Sequence, residues 1–363
     1  MSNKIPVGIL GATGAVGQNY IYLLQNHPWF EVTYVAASPR SAGKTYREVV
    51  ASKWLLGANI PEAVANLVIE DANIVEKAKG RCRFVFSALE LDSKDEIKAL
   101  ENAYAAMGFP VVSNASAHRW TDNVPMLIPE INADHISVID SQKKAHGWDT
   151  GFVAVKPNCS IQSYMIPVWA LMQAGYEVKR MFVSTMQAVS GAGYPGVPSL
   201  DMIDNIVPFI GGEEEKTEKE PSKIFGKVEG GKIVNFQGLK VSAHCNRVPV
   251  INGHTACISL EFGDKKPSLE EIDRIWKSFR GLPQELDLPF APVNPIIVRP
   301  EANRPQPRRD RDEDKGMAVS IGRLRTCELF DIRFVALSHN TVRGAAGGGI
   351  LNAELLKAKG YIQ

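Results

Sequence analysis

The chain has 363 residues, of which 45% are hydrophobic and 22% charged, with a net charge of +1. That length predicts two or three domains at about 150 residues each, with enough apolar material for cores that need no staples. The near-zero charge excludes a global basic field for nucleic acid or an anionic membrane, so any anion has to be caught locally. The five cysteines, Cys82, Cys159, Cys245, Cys257 and Cys327, are odd in number and include no CxxC pair, which argues against a disulfide framework, a zinc ribbon or any other metal site. Reduced thiols in the cytoplasm are the expectation. The opening MSNKIPVGIL lacks the apolar stretch of a signal peptide, and no run approaches a membrane span.

Residues Ile5 to Leu10 form a short apolar run that predicts a buried parallel strand. A glycine-rich segment, Gly11 to Gly17, follows, then a helical pattern from Gln18 to Asn26 and a second strand from Phe30 to Ala37. Phe84 to Leu89 predicts another strand, Asp92 to Met107 a helix capped by Asp92 or Ser93, and Pro110 to Ser113 a further strand. Strands alternating with helices predict an α/β fold with a parallel, Rossmann-like sheet. After Gly151 the pattern changes. Ser160 to Gln173 reads as a helix kinked at Pro167. Lys179 to Val189, Ile233 to Val241, Cys257 to Phe262 and Met317 to Arg325 read as long strands of an α+β domain with a mostly antiparallel sheet. Glu213 to Lys223 is densely charged, Asn303 to Lys315 predicts an exposed loop, and Asn340 to Lys359 a helix opened by Gly-rich backbone.

The segment GATGAVG places Gly11, Gly14 and Gly17 between a strand and a helix. Glycine permits the tight turn and the close approach of peptide N–H groups to a pyrophosphate, and the helix start adds a favourable dipole. Gly11, Thr13, Gly14, Ala15, Val16 and Gly17 are the candidate dinucleotide contacts. At the end of the second strand, where an acid would hold an NAD ribose, the sequence is AASPRSAGK. Ser38, Arg40 and Ser41, with Lys44 beside them, suit a 2′-phosphate instead, which predicts NADP(H). A solvated basic loop would carry the same residues.

Cys159 stands in KPNCSIQ, just before a helical pattern. A helix start lowers a thiol's pKa, and thiolate is the species that attacks an aldehyde or acyl phosphate. The other four cysteines read as small buried hydrophobes. His254, in NRVPVINGHT, follows Arg247 by seven residues, which pairs a titratable ring with an anion-binding fork.

Four segments in order, GATGAVG, PNCS, STMQAVSGAG (Ser184 to Gly193) and NRVPVINGHT (Asn246 to Thr255), resemble aspartate-semialdehyde dehydrogenase over nearly the whole chain. The PQPRRDRD stretch and the charged segment around Glu220 resemble the archaeal and fungal branch of that family. The resemblance implies roles for single residues. Cys159 matches the nucleophile, His254 the general acid/base and Gln187 the residue that orients the acyl group. Arg247 matches the Arg that holds the substrate α-carboxylate, and Glu220 the acid that meets its α-amino group. Lys223 and Arg119 match the phosphate pair, Asn158 a neighbour that shapes the site around the nucleophile, and Asn340 the point where the C-terminal segment returns to the cofactor.

The reaction so implied is the reversible, NADPH-dependent reductive dephosphorylation of L-4-aspartyl phosphate to L-aspartate 4-semialdehyde through a Cys159 thioester. It lies on the route to lysine, threonine, methionine and isoleucine. Two rivals stand beside it: a malonyl-CoA reductase on the same scaffold, and a non-catalytic NADP-binding redox sensor. N-acetyl-glutamyl-phosphate reductase fits PNCSIQ poorly. The expected architecture is a dinucleotide domain of residues 1–154 and 339–363, with an inserted catalytic and dimerisation domain, 155–338, in a homodimer or homotetramer.

Overall fold

The computed structural model describes residues 4–363; Met1, Ser2 and Asn3, the start of the expected dinucleotide domain, lie outside the described residues. Six strands build the first sheet: β1 (Ile5–Leu10), β2 (Phe30–Ala37), β3 (Glu70–Asp71), β4 (Phe84–Ser87), β5 (Pro110–Ser113) and β6 (Phe152–Val155). Their order is β3-β2-β1-β4-β5-β6, and every pairing is parallel. The order reverses between β1 and β4, which opens a crevice at their carboxyl ends. β4, β5 and β6 are buried throughout, as continuous apolar strands covered on both faces must be. The helix Lys94–Ala106 starts where Ser93 accepts from the Glu96 N–H, with Asp95 and Glu96 in its first turn.

The second half contributes β7 (Val178–Ala188), the small hairpin β8 (Lys227–Glu229) and β9 (Lys232–Val234), then β10 (Lys240–Val248), β11 (His254–Phe262), β12 (Ile296–Arg299), β13 (Val319–Thr326) and β14 (Ile332–Ser338). The larger sheet runs β10-β7-β11-β14-β13-β12. Its three inner pairings are antiparallel and its two outer ones parallel, so the sheet is mixed.

Three local expectations are corrected. Ile233 to Val241 is not one strand: the chain leaves β9 at Val234, and Phe236 N–H turns aside to donate to Ser222 O before β10 begins at Lys240. The break near Ser160 to Gln173 falls at Tyr164 (φ −134°), between a tight turn Ser160–Ser163 and the helix Met165–Gln173. Pro167 stands in that helix's first turn, where a missing N–H costs nothing. Asn303 to Lys315 is not a plain exposed loop: Asp310 is buried, accepts from Arg304 Nε at 2.7 Å and pairs with Arg299 Nε at 3.1 Å.

The C-terminal segment turns widely at Val342–Ala346 and continues as the helix Gly347–Ala358. Ile350, Leu351, Leu355 and Leu356 of that helix share a core with Val7, Ile9 and Phe86 of the first sheet. Gly349 allows the contact, since a Cβ there would lie 1.9 Å from the Tyr20 hydroxyl oxygen.

Candidate active site

The residues Gly11 to Gly17 form the turn that follows β1. Gly11 has φ +75°, and a Cβ on it would lie 2.3 Å from the Ala88 carbonyl oxygen, so only glycine serves there. A Cβ on Gly17 would meet the Gly11 carbonyl at 2.3 Å, which is how the helix Ala15–Leu23 packs so closely on the turn. Gly14 is exposed. The helix start behind it has no side-chain cap and no acid in its first turn. Gly11 and Ala12 N–H donate to Ala36 O and Gly14 N–H to Gly11 O, so it is the uncapped first turn of the helix, with its unneutralised dipole, that fits a dinucleotide phosphate. Thr13, Ala15 and Val16 are half-buried in the same turn. Ser38 and Arg40 are exposed beyond β2, with Ser41 half-buried beside them. The acids of the neighbouring strand β3, Glu70 and Asp71, are engaged by Arg81 and by Asn73. A cleft of about 390 Å³ runs from Ala15 and Asn19 past Leu55 and Leu56 to Val189 and Ser190. Asn340 stands behind its lining, donating to Ser190 Oγ at 2.8 Å and accepting from Gly253 N–H at 2.8 Å.

Cys159 follows β6 and opens the turn Ser160–Ser163. His254 is the first residue of β11, and its Nε2 lies 3.3 Å from Cys159 Sγ. The two are 95 positions apart in sequence, and the fold brings them together. Asn158 fixes the nucleophile's turn: its Oδ1 accepts from the Ser160 N–H (2.7 Å) and hydroxyl (2.8 Å). The wide turn Val342–Ala346 packs against the other side. A Cβ on Gly344 would lie 2.8 Å from Cys159 Cβ. A Cβ on Gly191 would be equally crowded, 2.9 Å from Arg247 Nη1 and 3.1 Å from His254 Cε1.

Gln187, near the end of β7, and Arg247, on β10, are register partners in the sheet. Arg247 is buried and donates through Nη1 to Ala188 O at 2.8 Å. The charged helix Glu213–Ile224 packs against β10. Its first residue, Glu213, is the acid that reaches this cluster. It accepts from Asn158 Nδ2 (2.9 and 2.8 Å), Gln187 Nε2 (3.2 Å) and Lys216 Nζ (2.8 Å). Sequence reasoning passed over Glu213. Its signal was present in the same charged run that drew attention to Glu220, but nothing in the run says which acid faces inward.

Glu220, Arg119 and Lys223 come together in an adjoining, buried network that Asn158 joins to the first. Arg119 Nη1 donates to Glu220 Oε1 at 2.7 Å, and the Asn158 N–H to Glu220 Oε2 at 2.7 Å. Arg119 also donates to the Lys156 and Asn114 carbonyls, and Lys223 Nζ to the Arg119 and Thr121 carbonyls. Two further residues went unnoticed in the sequence. Arg343 forms a buried two-pronged pair with Glu130 (2.6 and 2.7 Å) and reaches Gln162 of the nucleophile's turn.

The electrostatics differ from the sequence expectation at one point. Burial, reinforced by the Glu213 carboxylate, pushes the Cys159 thiol up rather than down, although Lys156, Arg119 and Arg247 oppose the rise. The short turn Ser160–Ser163, broken from the helix behind it, supplies too little dipole to reverse this. Burial and the Arg247 charge hold His254 down at about 3, so the ring is neutral. Burial also brings Lys156 down to about 7 and Lys223 to about 8. Burial acts to raise Glu213, but Lys216 and the hydrogen bonds from Lys216, Asn158 and Gln187 keep it below the usual carboxylate range.

Comparison with known proteins agrees in both halves. The model of the semialdehyde dehydrogenase NAD binding domain matches residues 6–139, and that of the semialdehyde dehydrogenase dimerisation domain matches 168–343. An aspartate-semialdehyde dehydrogenase of Methanothermobacter thermautotrophicus is 47% identical over 97% of this chain and 99% of its own length. One from Schizosaccharomyces pombe is 44% identical over 98% of this chain and 99% of its own. The crystal structure of aspartate semialdehyde dehydrogenase with NADP from Candida albicans superposes with a TM-score of 0.89 at 40% identity, covering 99% of this chain and all of that one. No helix among the described residues is long and apolar enough to cross a membrane. With an open phosphate-binding turn on one side of the crevice and a paired thiol and imidazole on the other, the chain belongs to the aspartate-semialdehyde dehydrogenase family of NAD(P)-binding enzymes.

Proposed function

We propose that the chain catalyses the reversible, NADPH-dependent conversion of L-4-aspartyl phosphate to L-aspartate 4-semialdehyde through a thioester on Cys159, supplying the route to lysine, threonine, methionine and isoleucine. The observation that carries this reading is the pocket around Cys159: a buried guanidinium on β10 and a buried carboxylate at a helix start, with the Gln187 amide donating to the carboxylate. Arg247 and Glu213 suit an amino acid's carboxylate and ammonium, and Gln187, on β7 beside β10, donates to Glu213. Glu213 takes here the part that the family resemblance suggested for Glu220, because Glu220 is already neutralised by Arg119.

Arg119 and Lys223 remain the cations for phosphate. Of five guanidinium N–H groups Arg119 commits three to the protein, and of three ammonium protons Lys223 commits two. Gly11 to Gly17 would hold the dinucleotide's pyrophosphate, Ser38, Arg40 and Ser41 its 2′-phosphate, and Asn340 the loop that borders the cleft. When bound, NADPH supplies the hydride. Asn158 holds the nucleophile's turn, and His254 faces the oxygen that gains charge when Cys159 adds to the carbonyl. We assign residues 1–154 with 339–363 to the dinucleotide domain and 155–338 to the catalytic and dimerisation domain. The C-terminal helix packed into the first core supports that division. The assembly is a homodimer or homotetramer in the cytoplasm.

The deciding assay follows NADPH formation from L-aspartate semialdehyde with and without phosphate, beside malonyl-CoA with NADPH. Phosphate-dependent reduction of NADP is expected. Turnover of malonyl-CoA alone would replace this reading.

A further inference from the structure

Lys156 follows β6 directly, in the segment KPNC that leads to Cys159, and it is buried beside the nucleophile's turn. Its Nζ donates to Pro157 O at 2.8 Å, one hydrogen bond where an ammonium has three to give. Among the described residues no carboxylate reaches Nζ within salt-bridge distance, whereas the neighbouring cations Arg119 and Arg343 are paired with Glu220 and Glu130. One stretch of chain covers both side chains: a Cβ on Gly344 would lie 2.8 Å from Cys159 Cβ, and one on Gly348 would lie 3.5 Å from Lys156 Cδ. We infer that Lys156 is the counter-cation of the Cys159 thiolate, a positioning residue whose charge holds the nucleophile ionised while it moves no proton and touches no substrate. This deepens the thioester reading above and rests on it, and the proton transfers stay with His254.

An ammonium in this position is costly without an anion. It has left water, it faces Arg119 and Arg343, and the helix Gly347–Ala358 that its stem packs against has no acid in its first turn. Burial brings Lys156 down to about 7, and Cys159 is the first charge that draws it back up, ahead of Glu220. The relation also holds from the side of the sulfur. Glu213 opposes ionisation of Cys159, while Lys156, then Arg119 and Arg247, favour it. His254 faces the same sulfur at 3.3 Å and is neutral in the resting site.

Filling the pocket sharpens the assignment. In the complex proposed above, the substrate carboxylate takes Arg247 and the substrate ammonium takes Glu213, while Arg119 keeps Glu220. Of the three leading cations around Sγ, Lys156 is then the one without an anion of its own until the thiolate forms. A charge pair out of water is far stronger than one in it, so a single ammonium there lowers the thiol by about one pH unit or more. The pair is dissolved when the sulfur becomes a thioester. It is restored when a phosphate oxygen bonds to the carbonyl carbon and the C–S electron pair leaves on Sγ, a departure that the ammonium favours.

Alkylation of Cys159 across a range of pH, with peptide mapping to follow that residue, reads the thiolate in the ligand-free enzyme. Lys156→Met removes the charge and the hydrogen bond to Pro157 O. Lys156→Gln removes the charge and keeps an N–H donor. Both should move the profile up by about one pH unit and slow alkylation near pH 7 by roughly tenfold. Both should lower kcat, and the Met variant should melt no earlier than the wild type, since a buried unpaired charge gives way to an apolar chain. A profile left in place in Lys156→Gln overturns the proposal and makes Lys156 a brace for Pro157. A Met variant that melts early and alkylates as the wild type does overturns it too. If the wild type fails to oxidise the semialdehyde, the substrate reading falls, while the alkylation profiles still decide the role of the charge.

Discussion

Glu213 and Glu220 lie seven residues apart on one helix, both buried, and the chain treats them in opposite ways. At the inner end, Glu220 meets a permanent guanidinium and a peptide N–H and has its charge fully answered within the fold. At the outer end, Glu213 is held by two neutral side-chain amides and by Lys216, whose side chain is 31% exposed. Asn158, directly before the nucleophile, touches both: its backbone binds one carboxylate and its side chain the other. A buried charge that is neutralised by the protein is an anchor, whereas one held by neutral amides and a solvent-screened lysine keeps an appetite for a cationic ligand. In the function proposed above, the first would fix the position of Cys159 and the second would select what is brought to it.

The comparison presupposes that both acids are arranged around the reacting atom. Cys159→Ser tests this with the largest expected effect, a loss of more than about a thousandfold in kcat/KM with NADPH binding kept, because an alcohol is scarcely ionised at neutral pH. Wild-type rates in that variant would detach both carboxylates from catalysis. Next in size is Arg247→Lys. It keeps the charge and loses the planar fork, and should lower kcat/KM for the semialdehyde by roughly 30- to 1000-fold with little change in thermal midpoint. Arg119→Ala should behave as an anchor lost. Leaving Glu220 buried without its partner costs about 3–5 kcal/mol, read as an earlier denaturation midpoint. The KM for phosphate should also rise, as it should in Lys223→Ala. An Arg119→Ala enzyme of unchanged stability would erase the distinction between the two ends of the helix.

The dinucleotide half was legible because local rules decide it. β2 and β5 fall on the residues expected, since an apolar run bounded by turn residues has few alternatives. Gly11 sits at the positive φ its turn demands. Cys159, His254, Gln187 and Arg247 were also found, carried by motifs rather than by periodicity. What the sequence concealed depends on which way a charged helix is rotated. Glu213 and Glu220 read alike in a run of glutamates and lysines, and only packing against β10 turns Glu213 toward Cys159 and Glu220 toward Arg119. β14 and β6 were passed over, and β14 shows that length is not the reason, since it has seven residues and pairs with the preceding β13. The thiol's raised pKa was invisible for a similar reason: it comes first from burial and then from a carboxylate 54 positions away in sequence.

That distant carboxylate gives the smallest and most specific test. In the ligand-free enzyme Cys159 is held largely as thiol by burial and by the negative charge of Glu213. Alkylation proceeds through thiolate, so its rate should climb with pH through a range above that of an ordinary exposed cysteine. Glu213→Gln keeps an amide oxygen for Asn158 and Gln187 but removes the charge. The thiolate then becomes easier to form, the alkylation profile moves to lower pH, and the rate near pH 7 rises by roughly threefold or more. Turnover should move the other way, because the substrate ammonium loses its partner. Glu220→Gln should carry a weaker signature: its charge is not among the leading influences on Cys159, and its cost should be read in stability. A thiol that becomes more reactive while the enzyme becomes a poorer catalyst would identify Glu213 as the group whose charge a bound ammonium cancels, so that substrate binding itself frees the nucleophile. If Glu213→Gln leaves the alkylation profile in place, or if Glu220→Gln shifts it as far, the two carboxylates do not divide their work in this way.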